Sequence, residues 1–344
     1  MGSCAAPLFD FRATSMALKW LMRLPLLLGT LAALAPLQAG AAVSPCPRNA
    51  AAAPALERLR TSMAAGRFVA YEPTSLAVAN GKVTAADPVS VRADLTVLRH
   101  QFDGLITYDA IHGAESIAPL AAELHFRALI IGVWDPTDAT QLAAALTSAR
   151  RYPTLVVGIS LGNELLFAQR SDPAALSALV RRVRVEAPAL ALSTTEPFHI
   201  YQQPNVAALL KELDFLLVNV HPVFQPWFRS AGDATAAQFV VNVLTLLRPL
   251  ACGPLLVKET GVPTAPVEQG FSETRQAAFY RELRGRLTPT RDQAFSYFAA
   301  FDAPWRALDA TPVAGPHAEE AHWGLFDSRR VPKEAARELA PLPH

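Results

Sequence analysis

From residue 67 onward, short apolar runs rich in β-branched residues alternate with longer stretches of helical period. The runs that predict strands are 68–71, 104–107, 128–133, 155–161, 190–194, 215–220, 255–257 and 294–301. Helices are predicted over 91–101, 138–151, 173–186, 236–247 and 273–287. Asp172-Pro173 opens one of these with an acceptor side chain before the first turn and a proline where no N–H is needed. The run Leu155-Val156-Val157-Gly158-Ile159 lacks polar alternation, as a strand covered on both faces should. Eight strands, most of them followed by a helix, predict an α/β fold, a single TIM (β/α)8 barrel over 67–344. A doubly wound open sheet would normally carry a glycine-rich phosphate turn, and neither G-x-G-x-x-G nor a Walker sequence occurs.

The chain has 344 residues, room for a barrel of about 250 and a leader. Lys19 and Arg23 precede an apolar run over 24–35, and Ala39-Gly40-Ala41 offers small residues for cleavage. The run fits the core of a signal peptide and is short for a membrane span. Residues 1–41 are therefore expected to be a signal peptide, with Met16 an alternative start, and no stable membrane span after cleavage. An uncleaved anchor is the competing reading. Residues 42–66, rich in Ala and Pro, form a lead-in with a short helix expected over 55–65. Removal of the leader would take Cys4 and leave Cys46 and Cys252. In an exported chain these two are expected to form a disulfide tying the lead-in to the base of the seventh strand; two separate buried thiols are the alternative.

Charge adds an exclusion. A net charge of +1 with 18% charged residues provides no field for holding nucleic acid. The eight histidines and three cysteines show no metal-type spacing, so no metal or other cofactor is expected. Oligomeric state cannot be read from the sequence.

In this architecture active sites form at the C-terminal ends of the strands. The fourth strand ends in Ser160-Leu161-Gly162-Asn163-Glu164 and the seventh in Val257-Lys258-Glu259-Thr260-Gly261. Two carboxyl groups thus arrive from opposite sides of one barrel mouth. Glycosidic cleavage needs such a pair, one to protonate the leaving oxygen and one to attack carbon or activate water. Strand alternation turns Lys258 to the face opposite Glu259, so it is not expected to be a direct ion partner.

Four segments, in order, resemble glycoside hydrolase family 17 of clan A, in its bacterial β-1,3-glucanase and β-1,3-glucanosyltransferase branch. They are Asp103-Gly104-Leu105-Ile106-Thr107-Tyr108, Gly162-Asn163-Glu164, Lys258-Glu259-Thr260-Gly261-Val262-Pro263-Thr264, and Phe298-Ala299-Ala300-Phe301-Asp302-Ala303-Pro304-Trp305. His322-Trp323-Gly324-Leu325-Phe326 continues the match, which runs over residues 68–333. The family usually has Arg where Ile106 stands, Trp where Val262 stands and an acidic residue where Ala303 stands.

The resemblance implies a secreted, retaining glycoside hydrolase or transglycosylase acting on β-1,3-glucan through a covalent glycosyl-enzyme. Glu164 would be the acid/base and Glu259 the nucleophile, with carboxyl groups about 5 to 5.5 Å apart. Asn163, next to the acid/base at a strand end, could bond the sugar 2-hydroxyl or only shape the turn. Tyr71 and Tyr108 could reach the nucleophile or a sugar hydroxyl, or merely pack with their tips in water. The resemblance puts Glu196 and His221 near the cleft, where either could instead orient a loop. Asp302 and Trp305 follow the last strand and are expected at the pocket. Trp134, Trp227 and Trp323 are further candidate sugar platforms, and Phe224 a candidate lining residue. The alternatives are another clan A β-glycosidase, cutting β-1,4-glucan or mannan, and a non-catalytic glycan-binding protein of the envelope.

Overall fold

The computed structural model describes residues 46, 49–79, 82–309 and 317–342. The expected leader over 1–41 lies outside the described residues. In chain order the strands are β1 (Phe68–Ala70), β2 (Ala77–Ala79), β3 (Lys82–Thr84), β4 (Gly104–Ile106), β5 (Ala128–Val133), β6 (Val156–Asn163), β7 (Leu192–Pro197), β8 (Leu216–Asn219), β9 (Leu255–Glu259) and β10 (Gln293–Tyr297). Eight of them close a parallel barrel in the order β1-β10-β9-β8-β7-β6-β5-β4. Closure comes from β1, which pairs with β10 on one side and β4 on the other. The expected barrel is the observed one.

The helices are α1 (Ala53–Ala65), α2 (Pro88–Arg99), α3 (Ile117–Glu123), α4 (Ala139–Arg151), α5 (Pro173–Glu186), α6 (Ala207–Glu212), α7 (Asp233–Leu247), α8 (Glu273–Arg286), α9 (Pro304–Asp309) and α10 (Glu334–Arg337). Aspartates start three of the outer helices. Asp87, Asp138 and Asp172 each accept two backbone N–H groups of the first turn. Among the described residues no helix is long and apolar enough to cross a membrane.

The apolar residues divide by the face of the strand on which they sit. One set lies between the barrel and its outer helices and includes Val69, Leu105, Leu129, Ile159, Val218 and Val257. The alternate set points inward and includes Phe68, Ile106, Ile130, Val157, Phe215, Leu217 and Leu256. That inner set meets Ala55, Leu59 and Met63 of α1, which closes the floor of the barrel. The family's Arg is therefore replaced here by an isoleucine buried in the barrel interior.

Two features go beyond the sequence expectation. A small antiparallel hairpin, β2–β3, is inserted between the first barrel strand and α2. The last barrel strand stops at Tyr297 rather than 301. Beyond it one bond to β1 remains, from Ala300 N–H to Ala70, while Ala299 N–H donates to Trp323 and Asp302 N–H to Phe326.

Cys46 and Cys252 are joined as a disulfide with Cα atoms 5.5 Å apart, as expected from their survival as a pair. It fixes the segment ahead of α1 to the loop before β9, at the floor. The bond closes 206 residues of sequence, so its removal relaxes a large restraint on the unfolded chain. Cys252→Ser is expected to lower unfolding free energy by about 3 to 5 kcal/mol. Urea denaturation without reductant measures this. Equal midpoints for the variant and the oxidised wild type would refute it.

Candidate active site

The mouth of the barrel is shaped first by its backbone. Pairing of β6 with β7 slips between Ser160 and Asn163. Gly162 (φ +95) and Glu164 (φ +54) both take left-handed conformations. A β-carbon at Gly162 would also collide with Leu165, at 2.2 Å, so glycine is required there. For Glu164 the same region is strained, and the surrounding bonds hold it. Its N–H donates to Thr195 O at 2.7 Å. Just beyond it, the N–H groups of Leu166 and Phe167 donate to the Glu196 carboxylate at 2.9 and 3.1 Å.

The second slip lies on the opposite side. Val218 pairs with Val257 and Asn219 with Glu259, so Lys258 is the extra residue of a bulge. A bulge breaks the alternation on which the sequence reading relied. Lys258 and Glu259 consequently share a side, and the expectation for Lys258 is corrected. Its Nζ lies 3.3 Å from Glu259 Oε1 and donates to Asn163 Oδ1 at 2.7 Å. It also sits 3.8 Å from the centre of the Tyr108 ring, close enough for a cation–π attraction.

Around Glu259 the partners are all donors. Tyr108 Oη donates to Oε1 at 2.9 Å, and His221 Nε2 lies 3.3 Å from Oε2. The carboxylate accepts, so the His221 proton resides on Nε2. Burial alone would raise the pKa of Glu259. The Lys258 charge, the His221 bond and the more distant Arg306 charge outweigh it and hold the group well below the usual carboxylate range.

Glu164 has a different environment. Its Oε1 accepts from Asn219 Nδ2 at 2.8 Å, a neutral donor. Burial beneath the rim raises its pKa and the Glu259 charge raises it further, against the weaker pull of Asn219, His221 and Lys258. The two carboxyl groups therefore titrate apart, Glu259 ionised first and Glu164 last.

The sequence-derived residues fall into two groups. Asn163, Glu164, Tyr108, His221 and Glu259 converge on one spot. Trp305 joins them at the rim, where it lines two hollows together with Glu72, whose ion-pair partner Arg306 lines the smaller one. Trp134 lines the larger hollow, with Val78 and Val83 of the inserted hairpin.

The others are held by structural partners. Tyr71 is fully buried and donates to Asp94 Oδ2 at 2.9 Å, because Asp94 is itself buried and needs that donor with Thr74 and Arg330. Glu196 is fully buried behind the acid loop, occupied by two backbone N–H groups, and burial pushes its pKa up to about 8. Asp302 takes Lys333 Nζ at 2.6 Å and Gly324 N–H at 2.9 Å, which ties the exit of β10 to the C-terminal segment. Glu196 is thus corrected from a sugar contact to a structural anchor, whereas Tyr71 and Asp302 keep these partners and still line the larger and the smaller hollow respectively. Trp323 is buried, with its ring 5.3 Å from His221 and 5.1 Å from Phe298, so it supports the imidazole from behind. Trp227 packs on Phe239 of α7. Phe224 is half exposed, edge-on to His221.

Sequence reasoning missed Asn219, Lys258, Glu72 and Arg306. Asn219 was findable as a polar residue closing a barrel strand, the position that marks catalytic groups. Val262, where the family has Trp, is buried, and Ala303 lines the smaller hollow.

The sequence model of the BtgE/BtgC glycoside hydrolase domain matches residues 69–324. A glucan 1,3-beta-glucosidase of Arthroderma benhamiae is 25% identical over 273 residues, covering 75% of this chain and 88% of the relative. A probable beta-glucosidase, btgE, of Emericella nidulans is 27% identical over 178 residues, half of this chain and 31% of its own length. Among solved structures, the glycoside hydrolase family 17 β-1,3-glucanosyltransferase of Rhizomucor miehei superposes with a TM-score of 0.60 at 21% identity, covering 78% of this chain and 95% of that one. An endo-laminarinase from Formosa gives 0.63 at 18% identity, covering 76% and 83%. These two likenesses concern the fold. The family match spans the barrel from its first strand to the segment behind His221, and the chain belongs to the BtgE/BtgC glycoside hydrolase domain family.

Proposed function

We propose that this chain is a retaining glycoside hydrolase or transglycosylase of β-1,3-glucan, with Glu259 as nucleophile and Glu164 as acid/base. The observation that carries the assignment is the difference between the partners of the two carboxyl groups. Glu259 is kept ionised by an ammonium, a phenol and an imidazole, as a nucleophile must be. Glu164 has a neutral amide as its hydrogen-bond partner, and its burial and the Glu259 charge outweigh the pull of His221 and Lys258, as a group that must carry a proton near neutral pH requires. Glu259 Oε attacks the anomeric carbon while Glu164 gives its proton to the departing glycosidic oxygen. A covalent glycosyl-enzyme results. Glu164, now a carboxylate, takes a proton from water or from a sugar hydroxyl, and that oxygen displaces Glu259. Water gives hydrolysis and sugar gives transfer. The named activities of the relatives support β-1,3-linked glucan as substrate. The disulfide and the charged, then apolar, N-terminal sequence support export, with residues 1–41 as the signal peptide.

Incubation with laminari-oligosaccharides and sizing of the products tests the substrate: shorter products mean hydrolysis, and products longer than the donor mean transfer. Inertness on these oligosaccharides with turnover of β-1,4-glucan or mannan would replace the substrate assignment. Roles are separated with an activated aryl β-glycoside and azide. Glu164→Ala should still form the glycosyl-enzyme and yield the β-azide, whereas Glu259→Ala should yield the α-azide. Reversed configurations would exchange the two roles.

Asn219→Ala removes a hydrogen bond that favours the ionised form of Glu164, so the pKa of Glu164 should rise. The alkaline limb of kcat/KM reports loss of its proton and should move upward by about one pH unit. A limb that stays in place or moves down would contradict this. Intact-mass analysis of protein exported from its own host should give a chain starting near Ala42; retention of residues 16–41 would exclude the signal peptide.

A further inference from the structure

We infer that Lys258 is a positioning residue that fixes which way the Asn163 amide faces, and thereby makes the site selective for a sugar with a free 2-hydroxyl. The inference rests on the roles proposed above for Glu164 and Glu259. An amide can turn either its oxygen or its NH2 group toward a neighbour, and the neighbour's chemistry decides. A protonated lysine has three donors and no acceptor. Its Nζ, 2.7 Å from Asn163, therefore accepts only the orientation that presents Oδ1. The Asn163 NH2 group is then on the other side of the amide, toward the mouth, as a donor. The lysine is well held for this task. It is buried, clamped between Asn163, Glu259 at 3.3 Å and the Tyr108 ring at 3.8 Å. It is also the extra residue of the β9 bulge, so the backbone delivers it inward beside the nucleophile.

Asn163 precedes Glu164 at the end of β6, so an NH2 group turned to the mouth would meet a bound sugar beside its anomeric carbon, where the neighbouring oxygen is that of the 2-hydroxyl. A hydrogen bond there strengthens as charge develops in the transition state. One lysine thus serves both motifs: its charge holds Glu259 ionised, and its donor-only character aims Asn163.

The two effects are separable with paired substrates. One is a 2,4-dinitrophenyl β-laminaribioside, and the other lacks the 2-hydroxyl on the glucose that bears the aryl group. The ratio of their kcat/KM values cancels the loss of charge beside Glu259, which slows both. Their difference in intrinsic reactivity is the same for every variant. Lys258→Met frees the amide to turn, and its ratio should fall on the order of 10²-fold below that of the wild type. Asn163→Ala should give a fall of the same size, and the double variant no more than either alone. Lys258→Arg, which keeps a donor-only side chain, should retain most of the ratio. Lys258→Gln can donate or accept and should lose it, which keeps the test open if the Met variant does not fold. Loss of rate with an unchanged ratio in the Met or Gln variant would overturn the inference, as would additive effects in the double variant. A wild-type protein that cleaves neither substrate would instead refute the proposed function.

Discussion

The rest of the site depends on keeping one carboxylate ionised where water is nearly excluded. Glu259 is almost fully buried, and a carboxylate in that position would normally take up a proton. Lys258 opposes this at 3.3 Å from inside the barrel. A buried pair of this kind adds little net stability, since desolvating both ions cancels much of their attraction. Removing one partner is a different matter: the other is left buried and unpaired, at a cost of about 3 to 5 kcal/mol. The pair is therefore better understood as a device for fixing charge than as a brace. Its second effect falls on Glu164. Once Glu259 is negative, a neighbouring carboxyl loses its proton less readily, and the site sets two pKa values from one buried cation.

That arrangement requires local violations of regular strand geometry. A strand with strict alternation cannot send Lys258 and Glu259 to the same side, and the bulge on β9 does so at the cost of one ladder position. On β6 the slip after Ser160 and two left-handed residues turn Glu164 toward the mouth. The strain is held by groups with no part in the chemistry. Glu196 supplies two acceptors to the backbone just past Glu164, and Thr195 O anchors Glu164 itself. Rigid strands thus carry the reacting groups up to the rim, and irregular backbone aims them.

These irregularities mark the boundary of what the sequence reveals. Barrel, outer helices and the two motif strands follow from hydrophobic period and caps, which are local signals. The pairing of Cys46 with Cys252 followed from counting. The bulge at Lys258 leaves no trace in the pattern Leu255-Leu256-Val257-Lys258-Glu259, because register is decided by the neighbouring strand. The β2–β3 hairpin was short enough to pass for loop, although Asn80-Gly81 between two short β-type runs is a hairpin signal. Tyr108 follows β4 and Tyr71 follows β1, and alternation separates them, since Tyr108 shares the inner face of Ile106 and Tyr71 the outer face of Val69. In the fold one phenol meets Glu259 and the other meets Asp94.

The contrast between those tyrosines generalises. Polar residues cluster at the C-terminal ends of barrel strands because the ladder ends there and leaves backbone and side chains to be satisfied. Some of them meet that need by binding backbone or a buried partner. Glu196 takes two backbone N–H groups, Asp302 takes a lysine and a backbone N–H, and Tyr71 serves a buried aspartate. Others are partnered mainly by side chains that also border the mouth: Glu164 by Asn219, Asn163 by Lys258, and Glu259 by Tyr108 and His221 from other strands and by Lys258 of its own. The first kind fixes loops. The second kind forms a network joining four strands through side chains alone, so its geometry is set by the barrel and not by any one loop. A group that must meet a sugar carbon within a fraction of an ångström needs the second kind of support, since a shift of one loop then leaves the reacting carboxylates where the strands hold them.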